Sequence, residues 1–332
     1  MTEGNGQKAL KIGIVGCGGI GRRHLLSYQN NGLAPSGLAD AFPEAAENAA
    51  KEWGGQAYGD YREMFAQAGL DVVSICTPPT SHREIAVAAL EAGIAVLCEK
   101  PMTTTVEDAE AIAKAAQDTG SLFMIGHCHR FQPHIEKVRE LIDAGDLGLV
   151  RMYRNRIGFS FPRAGNSWFS DPEIAGGGIL IDTHVHSVDI FRFLVGEVSQ
   201  VTALTSTVDS PLGPALRVED SAIMTVLSTE GALGVMEASW RTAPPEVQVT
   251  VYGTAGRATV DYNANELRFQ GADDKEPQVI EVSNENRFDR EIRHFLACVR
   301  GEETPRLTAE DGVIAIRILL DAYRSTGITV SA

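Results

Sequence analysis

A glycine-rich segment directly after the first apolar run restricts the fold more than any other feature of the chain. In KIGIVGCGGIG, Gly16, Gly18 and Gly21 have GxGxxG spacing between a predicted strand and a predicted helix. The first glycine permits a tight turn, the second lets the backbone approach a pyrophosphate, and the third brings helix and strand together. Because amides at a helix start bind anions, Gly19 and Ile20 join the expected phosphate contacts. The segment predicts a dinucleotide-binding βαβ unit.

An acidic residue follows this segment at a spacing typical of dinucleotide-binding proteins. Asp40 lies 19 residues after Gly21, at the end of the predicted strand in GLAD. Its carboxylate can accept hydrogen bonds from the adenosine ribose and would repel a 2′-phosphate. Asp40 therefore favours NAD over NADP, although a more distant arginine could still accommodate the phosphate, which leaves NADP open. The alternative interpretation is a structural glycine turn followed by a solvated aspartate.

Two rhythms of apolar residues divide the 332-residue chain, which is longer than a single core usually grows. From Lys11 to about Gly148, short apolar runs alternate with amphipathic stretches, which indicates strand–helix units and a parallel sheet. After Val150, apolar and polar residues alternate, most clearly in EVQVTVY, which indicates a mostly antiparallel sheet. We expect an α/β domain over residues 1–130 and an α+β domain over residues 131–332, whose last helices could pack back on the first domain.

Composition excludes several classes of partner. Forty-four acidic residues against 29 basic ones give a net charge of -15, which argues against a nucleic-acid or anionic-membrane surface. No apolar run approaches the roughly 20 residues needed to span a bilayer, and Met1–Leu10 lacks the apolar core of an export signal. The five cysteines include no CxxC pair and are expected to be reduced. We therefore expect a cytoplasmic protein with no membrane partner.

The stretch GGGILIDTHVHSVDIFRFLVG carries polar residues where a buried helix should be apolar. Apolar side chains surround nearly the whole circumference of a helix over residues 179–195, so the helix is expected to be buried. Asp182 and His186, spaced i and i+4, project from one side, whereas His184 points elsewhere and is a weaker candidate. Asp182 and His186 either satisfy each other inside the core or form a site. The glycines at 176–178, which let a flat ligand approach, favour a site.

Other polar residues stand at the ends of predicted strands. Glu99 and Lys100 of EKP follow the strand at 95–98, and Thr77 and Pro78 of CTPPTSH follow the strand at 72–76. Carboxyl ends of parallel strands form the edge where such sheets bind ligands. The HCH triplet at 127–129 could in principle hold a metal. We favour polar residues at a strand end and predict no metal site.

With the glycine loop, CTPPTSH, EKP and GGGILIDTHVHSVD in order, the chain resembles the Gfo/Idh/MocA family of NAD(P)-dependent sugar and polyol oxidoreductases over essentially its full length. The resemblance implies a Rossmann domain followed by an α+β domain with a large open sheet. That sheet commonly mediates oligomerisation, so a homo-oligomer, a dimer or a tetramer, is expected. The resemblance also implies that Lys100 is the catalytic lysine and that Asp182 and His186 complete the catalytic triad.

The implied reaction is hydride transfer between nicotinamide and a secondary hydroxyl or ketone of a sugar, inositol or related polyol. His186 would take and return the hydroxyl proton, since its ordinary pKa is about 6.5, and Lys100 would stabilise the developing alkoxide. The expected cofactor contacts are Gly16, Gly18, Gly19, Ile20, Gly21, Asp40, Thr77, Pro78, His82, Glu99 and Lys100. The expected substrate contacts are Lys100, His129, Arg130, Arg156, Trp168, Asp182 and His186.

Two rival functions remain at this point. The first is a protein of the same fold that no longer catalyses and uses dinucleotide occupancy to regulate a partner. The presence of Lys100 and His186 argues against it. The second is a metal-assisted lyase or hydrolase built on Asp182, His184 and His186, which requires an extended course of the chain there.

Overall fold

The structure, a computed structural model, describes residues 10–207 and 216–327. The residues on which the absence of an export signal was predicted, up to residue 9, lie outside this range. Within the described ranges, no helix combines the length and the apolar character that crossing a membrane requires.

The first part of the described chain is built on a parallel sheet, as the sequence predicts, and this sheet has six strands. Its strands are β1 (Ile12–Val15), β2 (Pro35–Ala39), β3 (Gln56–Tyr58), β4 (Val72–Ile75), β5 (Ala95–Glu99) and β6 (Phe123–Gly126). Its helices are α1 (Gly19–Asn30), α2 (Pro43–Trp53), α3 (Tyr61–Gln67), α4 (His82–Glu91) and α5 (Val106–Thr119). The strand order is β3-β2-β1-β4-β5-β6, so the winding direction changes between β1 and β4 and opens a crevice at their carboxyl ends.

Burial explains why these strands are visible in the sequence. Every residue of β1, β4 and β6 is buried, which requires the continuous apolar runs of a sheet covered on both faces. β3 is only partly buried and was not predicted.

In the sequence, Ser81 with Glu84, Thr105 with Asp108 and Thr308 with Asp311 have capping-box spacing, which predicts a helix start at each. The Thr105 side chain accepts a hydrogen bond from the Asp108 amide at the start of α5, as predicted. The capping box of Thr308 and Asp311 is complete. α4 begins directly after Ser81, as predicted, but the Ser81 side chain makes no cap bond, because its hydroxyl donates to Thr77 instead.

The second part of the described chain contains an eight-stranded sheet. Its strands are β7 (Val150–Ser160), β8 (Val198–Ser206), β9 (Ser221–Ser228), β10 (Leu233–Ser239), β11 (Arg241–Gly253), β12 (Gly256–Asp261), β13 (Glu266–Gly271) and β14 (Gln278–Ile280). The order is β14-β13-β12-β11-β7-β10-β9-β8, and all neighbours are antiparallel except β7 and β10. The predicted mostly antiparallel sheet is therefore confirmed, although β12 and β13 were not predicted.

Six helices belong to the second part of the described chain. They are α6 (Pro133–Asp143), α7 (Pro172–Ala175), α8 (Ile179–Asp182), α9 (His184–Leu194), α10 (Arg287–Val299) and α11 (Ala309–Thr326). Of these, α6, α8, α9 and α11 pack against one face of the sheet. Ile292 and Phe295 of α10 pack into the core of the parallel sheet, whereas Ile316 and Leu319 of α11 pack into the core of the second sheet. The closing helices therefore join the two parts, and a domain boundary at residue 130 stays a prediction.

The other face of the second sheet exposes apolar side chains. Met152 and Leu233 are paired neighbours on β7 and β10, and Leu204 and Ile223 are paired neighbours on β8 and β9. Strand register places all four on the same face, and each is exposed.

Candidate active site

A cavity of about 430 Å³ lies between the carboxyl edge of the parallel sheet and the second sheet. Its described walls consist of Lys100, His129, Ile157, Phe159, Asp182, Thr183, His186, Val247, Tyr262, Asn263 and Arg287. Larger grooves, of about 640 and 830 Å³, run along α5 and have no histidine in their described walls. Of these three, the smaller cavity is the one whose described wall brings histidines together with a lysine and an aspartate.

Lys100 and Asp182 form an ion pair in this cavity. Lys100 follows the last residue of β5, and its Nζ lies 2.9 Å from Oδ1 and 2.9 Å from the carbonyl oxygen of Asp182. Burial opposes the charge of Lys100, but the carboxylates of Asp182 and Glu99 raise its pKa above the ordinary value. Lys100 is therefore a cation at neutral pH.

Glu99 holds the backbone below Lys100. Its buried carboxylate accepts a hydrogen bond from the Lys100 amide, at 3.1 Å, and lies 2.9 Å from Nε2 of His24. Burial opposes ionisation of Glu99, but the hydrogen bond to His24 and the charge of Lys100 lower the pKa of the carboxyl group. Glu99 is thus an ionised anchor for the strand end that carries Lys100.

Two imidazoles face each other on the opposite wall. The ring centroids of His129 and His186 are 4.3 Å apart, and Nδ1 of His129 lies 3.1 Å from the Tyr262 hydroxyl. Burial lowers the pKa of both histidines well below the ordinary value, and nearby cations, including Lys100, lower each further. Both rings are neutral at physiological pH, which is the state in which histidine can accept a proton.

The segment that carries Asp182 and His186 is buried but is not one continuous helix. α8 ends at Asp182 and α9 begins at His184, so the prediction of an uninterrupted helix over residues 179–195 is wrong. The break still directs Asp182 and His186 into the cavity. His184 points into the core, where Nε2 contacts the Met236 carbonyl oxygen at 3.1 Å and burial lowers its pKa to about 4.

Three predicted substrate contacts are outside the described cavity wall. Arg130 binds Asp189 of α9, with its Nε 2.9 Å from Oδ1. Arg156 lies at the exposed face of the second sheet, beside Glu237 and Glu246. Trp168 stacks on Phe169, with 3.9 Å between ring centroids. Each of these side chains contacts a residue outside the cavity wall. Spacing along the sequence could not reveal these contacts, because the partners are set by the fold.

The glycine loop has the geometry of a phosphate cradle. Gly16 has a φ of 94°, and a Cβ there would lie 2.7 Å from the Cys76 backbone. A Cβ on Gly21 would lie 1.9 Å from the Gly16 carbonyl oxygen, so both positions require glycine. A Cβ on Gly18 or Gly19 would meet nothing within 4 Å, which leaves room in front of the α1 amides. The loop therefore fits the pyrophosphate of a dinucleotide.

Asp40 is fixed at the tip of β2. Its two carboxylate oxygens accept hydrogen bonds from the amides of Cys17, at 2.8 Å, and Phe42, at 2.9 Å. These bonds orient the carboxylate beside the glycine loop, where the adenosine ribose of a bound dinucleotide would lie.

The CTPPTSH loop is held by its own side chains. Nε2 of His82 lies 2.8 Å from the Thr77 carbonyl oxygen, and Nδ1 lies 3.1 Å from that of Met102. His82 is completely buried, so it supports the loop from below, whereas Thr77 and Pro78 are partly exposed at the crevice. A direct cofactor contact by His82, as the sequence predicted, does not fit this position.

The HCH triplet does not gather ligands around one point. Neither ring nitrogen of the buried His127 has a hydrogen-bond partner, whereas His129 faces the cavity. Among residues 10–207 and 216–327, no group of three histidine, cysteine, aspartate or glutamate side chains is arranged to hold a metal ion.

Sequence reasoning missed part of the cavity wall. Tyr262 and Asn263 follow β12, which the sequence did not predict, and Arg287 begins α10 in a charged segment typical of an exposed helix. Phe159, at the end of β7, had no distinguishing signal. These positions become neighbours of Lys100 only when the second sheet closes over the edge of the first.

Comparison with known proteins places this geometry in context. The family model for an oxidoreductase family with an NAD-binding Rossmann fold matches residues 10–127, and the model for the GFO/IDH/MocA C-terminal domain matches residues 135–259. Levoglucosan dehydrogenase of Pseudarthrobacter phenanthrenivorans is 30% identical over 302 residues, which cover 80% of this chain and 77% of that protein. scyllo-Inositol 2-dehydrogenase (NAD(+)) of Bacillus subtilis is 27% identical, with 95% of this chain and 94% of that protein covered.

Solved structures agree with these matches. Levoglucosan dehydrogenase in complex with NADH and levoglucosan superimposes with a TM-score of 0.88 at 26% identity. The superposition covers 96% of this chain and 98% of that one. The predicted fold of both parts is therefore confirmed.

Proposed function

The chain belongs to the Gfo/Idh/MocA family of NAD-dependent oxidoreductases, and from this premise we propose that it interconverts a secondary hydroxyl and a ketone on a sugar, inositol or related polyol. One observation carries the proposal. Lys100, Asp182 and His186 line a single cavity at the carboxyl edge of the NAD-binding sheet. Two relatives are named for dehydrogenation of levoglucosan and of scyllo-inositol, which supports a polyhydroxylated substrate.

The cavity suits such a substrate in size and chemistry. Its volume of about 430 Å³ lies in the usual range of small-molecule sites, roughly 300–1,000 Å³. Ile157, Phe159 and Val247 provide an apolar wall for the carbon face of a ring, and the polar residues opposite can bind hydroxyl groups.

Bound NAD supplies the hydride acceptor, and the residues of the cavity manage the proton and the charge. During oxidation, neutral His186 accepts the hydroxyl proton. The Lys100 ammonium donates a hydrogen bond to the same oxygen and stabilises the alkoxide as it develops. Asp182 orients Lys100 and can accept a hydrogen bond from a neighbouring hydroxyl.

The cofactor contacts form a second part of the proposal. The amides of Gly18, Gly19 and Ile20 would bind the pyrophosphate, and Asp40 would bind the adenosine ribose. Thr77 and Pro78 would border the crevice near the nicotinamide, with Glu99 fixing the strand end below.

The rival functions have less support. A regulatory protein would not need Lys100 and His186 in one cavity. A metal-assisted reaction on Asp182, His184 and His186 needs the two imidazoles to converge, whereas the His184 ring contacts Met236 in the core.

We also propose that the protein is a cytoplasmic homo-oligomer. The five cysteines, all within the described residues, are free thiols, which suits a reducing compartment. The exposed apolar face with Met152, Leu204, Ile223 and Leu233 is a suitable surface for a second copy. Light scattering should give a mass above that of one chain, reduced by Ile223→Lys, and cell fractionation should recover the protein with cytoplasmic markers.

NADH formation from NAD with a panel of inositols, aldoses and anhydrosugars tests the main proposal. At least one member should be oxidised with saturation behaviour. NAD binding without oxidation of any member, and without NADH-dependent reduction of the corresponding ketones, would favour the regulatory function instead.

A further inference from the structure

Arg287 is a cavity residue whose charge has no partner among its described neighbours. It is the first residue of α10, lines the cavity with Lys100, and its buried Nε has no hydrogen-bond acceptor. Among the described arginines that are not solvent-exposed, it alone lacks a carboxylate within 4.0 Å. The others, each with such a partner, are Arg130, Arg139, Arg192, Arg241 and Arg290.

The groups around Arg287 do not neutralise it. Glu291 lies one turn further along α10, is completely buried, and both of its carboxyl oxygens lack partners. Burial, followed by the charge of Glu99, raises the pKa of Glu291 well above the ordinary value, which disfavours an ionised partner for Arg287 at this position. Burial also raises the pKa of the Cys128 thiol beside Arg287 to about 12.

The side chains that form the described wall of the cavity carry one more positive than negative charge, and the ionised Glu99 lies behind this wall at the end of β5. Lys100 is balanced by Asp182 at 2.9 Å. His129 and His186 are neutral, because burial lowers the pKa of each well below the ordinary value. No other charged residue lies in the described wall, so the excess charge belongs to Arg287.

We propose that Arg287 binds an anionic oxygen group of the substrate, so that the natural substrate is an acidic sugar or polyol carrying a carboxylate or a phosphate. The inference rests on the proposed function and narrows its substrate class. A guanidinium matches the planar geometry of a carboxylate and can bind it through two hydrogen bonds. A partly buried charge without a partner is unfavourable, and a bound anion offsets that cost.

Paired substrates test this inference. We would measure kcat/KM for D-glucuronate against D-glucose, for D-galacturonate against D-galactose, and for D-glucose 6-phosphate, with NAD as acceptor. Since a hydrogen bond to a charged group contributes about 1.5–3 kcal/mol, the wild-type enzyme should prefer an acidic member by roughly tenfold or more. The ratio of acid to neutral sugar should fall at least tenfold in Arg287→Gln, and Arg287→Lys should restore part of it.

Arg23→Gln is a matched control. Arg23 lies over the ring of Phe288, as Arg287 does, with 5.6 Å to the centroid against 5.3 Å for Arg287, but Arg23 is exposed on α1 and outside the described cavity wall. Its removal should leave the ratio of acid to neutral sugar unchanged. Preference for glucuronate would identify the anion as a carboxylate, and preference for glucose 6-phosphate would identify it as a phosphate.

Three results would overturn the inference. The first is a wild-type preference for the neutral member of both pairs over every acid. The second is an unchanged ratio and unchanged NADH affinity in Arg287→Gln. The third is an unchanged ratio with NADH affinity lowered more than tenfold in Arg287→Gln. The last result would assign the guanidinium to the cofactor.

Failure of the proposed function would give a different result, because the protein would then form NADH with no sugar, acidic or neutral. In that case the inference can still be tested by isothermal titration calorimetry, which measures the Kd of D-glucuronate, D-glucose and D-glucose 6-phosphate for NADH-loaded protein. Tighter binding of an acid, lost in Arg287→Gln, would support it. Absence of a difference would overturn it.

Discussion

Asp182 and Asp189 lie two turns apart in one segment of the chain, and each forms an ion pair. One pair lines the cavity, and the other is buried in the protein interior. Asp182 binds Lys100 in the cavity, where the side chains are 21% and 17% exposed. Asp189 binds Arg130 inside the protein, where the Asp189 side chain is 1% exposed. The sequence places the two aspartates seven residues apart on similar backgrounds of apolar residues.

The difference lies in the hydrogen-bonding capacity that each pair leaves free. Arg130 also donates to the Arg306 carbonyl oxygen, at 3.1 Å, and lies 3.4 Å from Asp311, which in turn pairs with Arg192. This network ties α9 to α11. Lys100 instead faces a cavity that a substrate can enter. Burial of a charged pair is therefore not a sign of a functional site by itself, whereas an ion pair that lines a cavity favours one.

Lys100→Ala, which removes the cation of the cavity pair, should lower activity more than any other variant described below. If Lys100 stabilises the alkoxide as proposed, its loss should lower kcat by roughly 10³-fold or more, measured as NADH formation with the best panel substrate. NADH affinity should stay within about tenfold, because the proposed phosphate site is the glycine loop and not Lys100.

The free energy of unfolding of Lys100→Ala provides a second comparison between the two ion pairs. Because the Lys100–Asp182 pair is partly exposed, its loss should change the free energy of unfolding by about 1 kcal/mol or less. Normal turnover by Lys100→Ala would remove the proposed catalytic role.

Arg130→Met should act on stability instead. Breaking a buried pair leaves Asp189 without its cation, so the free energy of unfolding should fall by about 3 kcal/mol in urea titrations. Arg154→Met is the control, since Arg154 pairs with Glu237 at the exposed sheet face and should cost less than about 1 kcal/mol. An increase in KM with unchanged stability would place Arg130 with the substrate and contradict the comparison.

Short-range sequence patterns were sufficient to predict those parts of the candidate site that a single segment of the chain forms. The glycine loop needs only Gly16 and Gly21 at fixed spacing, since a side chain at either would collide with neighbouring backbone. Asp182 and His186 share a face because one helical turn separates them, and this held in spite of the break at Thr183. The family resemblance added Lys100, whose position follows from where β5 ends.

Contacts made by distant segments were not predictable. Arg130 and Asp189 are 59 residues apart, and no spacing rule indicates that they pair instead of lining the cavity. Arg287 is surrounded in sequence by charged residues and resembles an exposed helix start, yet the packing of α10 on α1 brings it to the cavity. Which charged residues end inside the protein is decided by tertiary packing.

His186→Asn should lower kcat by about 10²-fold and change the pH dependence, because a positioned general base contributes roughly 10²–10⁴-fold. Burial and neighbouring cations lower the pKa of His186 well below its ordinary value, so the wild-type imidazole is neutral through pH 6.5 to 8. In this window kcat/KM for oxidation of a neutral sugar should be constant. It should fall only at lower pH, where protonated His186 cannot accept the proton.

A pH series of kcat/KM from 4.5 to 8 measures this. The limb on the acid side should disappear in His186→Asn. A wild-type midpoint at or above 6.5 would mean that His186 is more solvated than its position in the cavity implies, or that another group accepts the proton.

Asp40→Ala should have the smallest effect of these variants, and the effect should be limited to the choice between NAD and NADP. Loss of a charged acceptor for the ribose and of its repulsion of a 2′-phosphate should reduce the preference for NAD over NADP by roughly tenfold in kcat/KM. The carboxylate also binds the amides of Cys17 and Phe42, so the loop could shift in this variant. Asp40→Asn is the matched control, because it keeps an acceptor oxygen and removes only the charge. If both variants kept the wild-type ratio, discrimination would belong to other residues; a change in Asp40→Ala alone would assign it to loop geometry and not to charge.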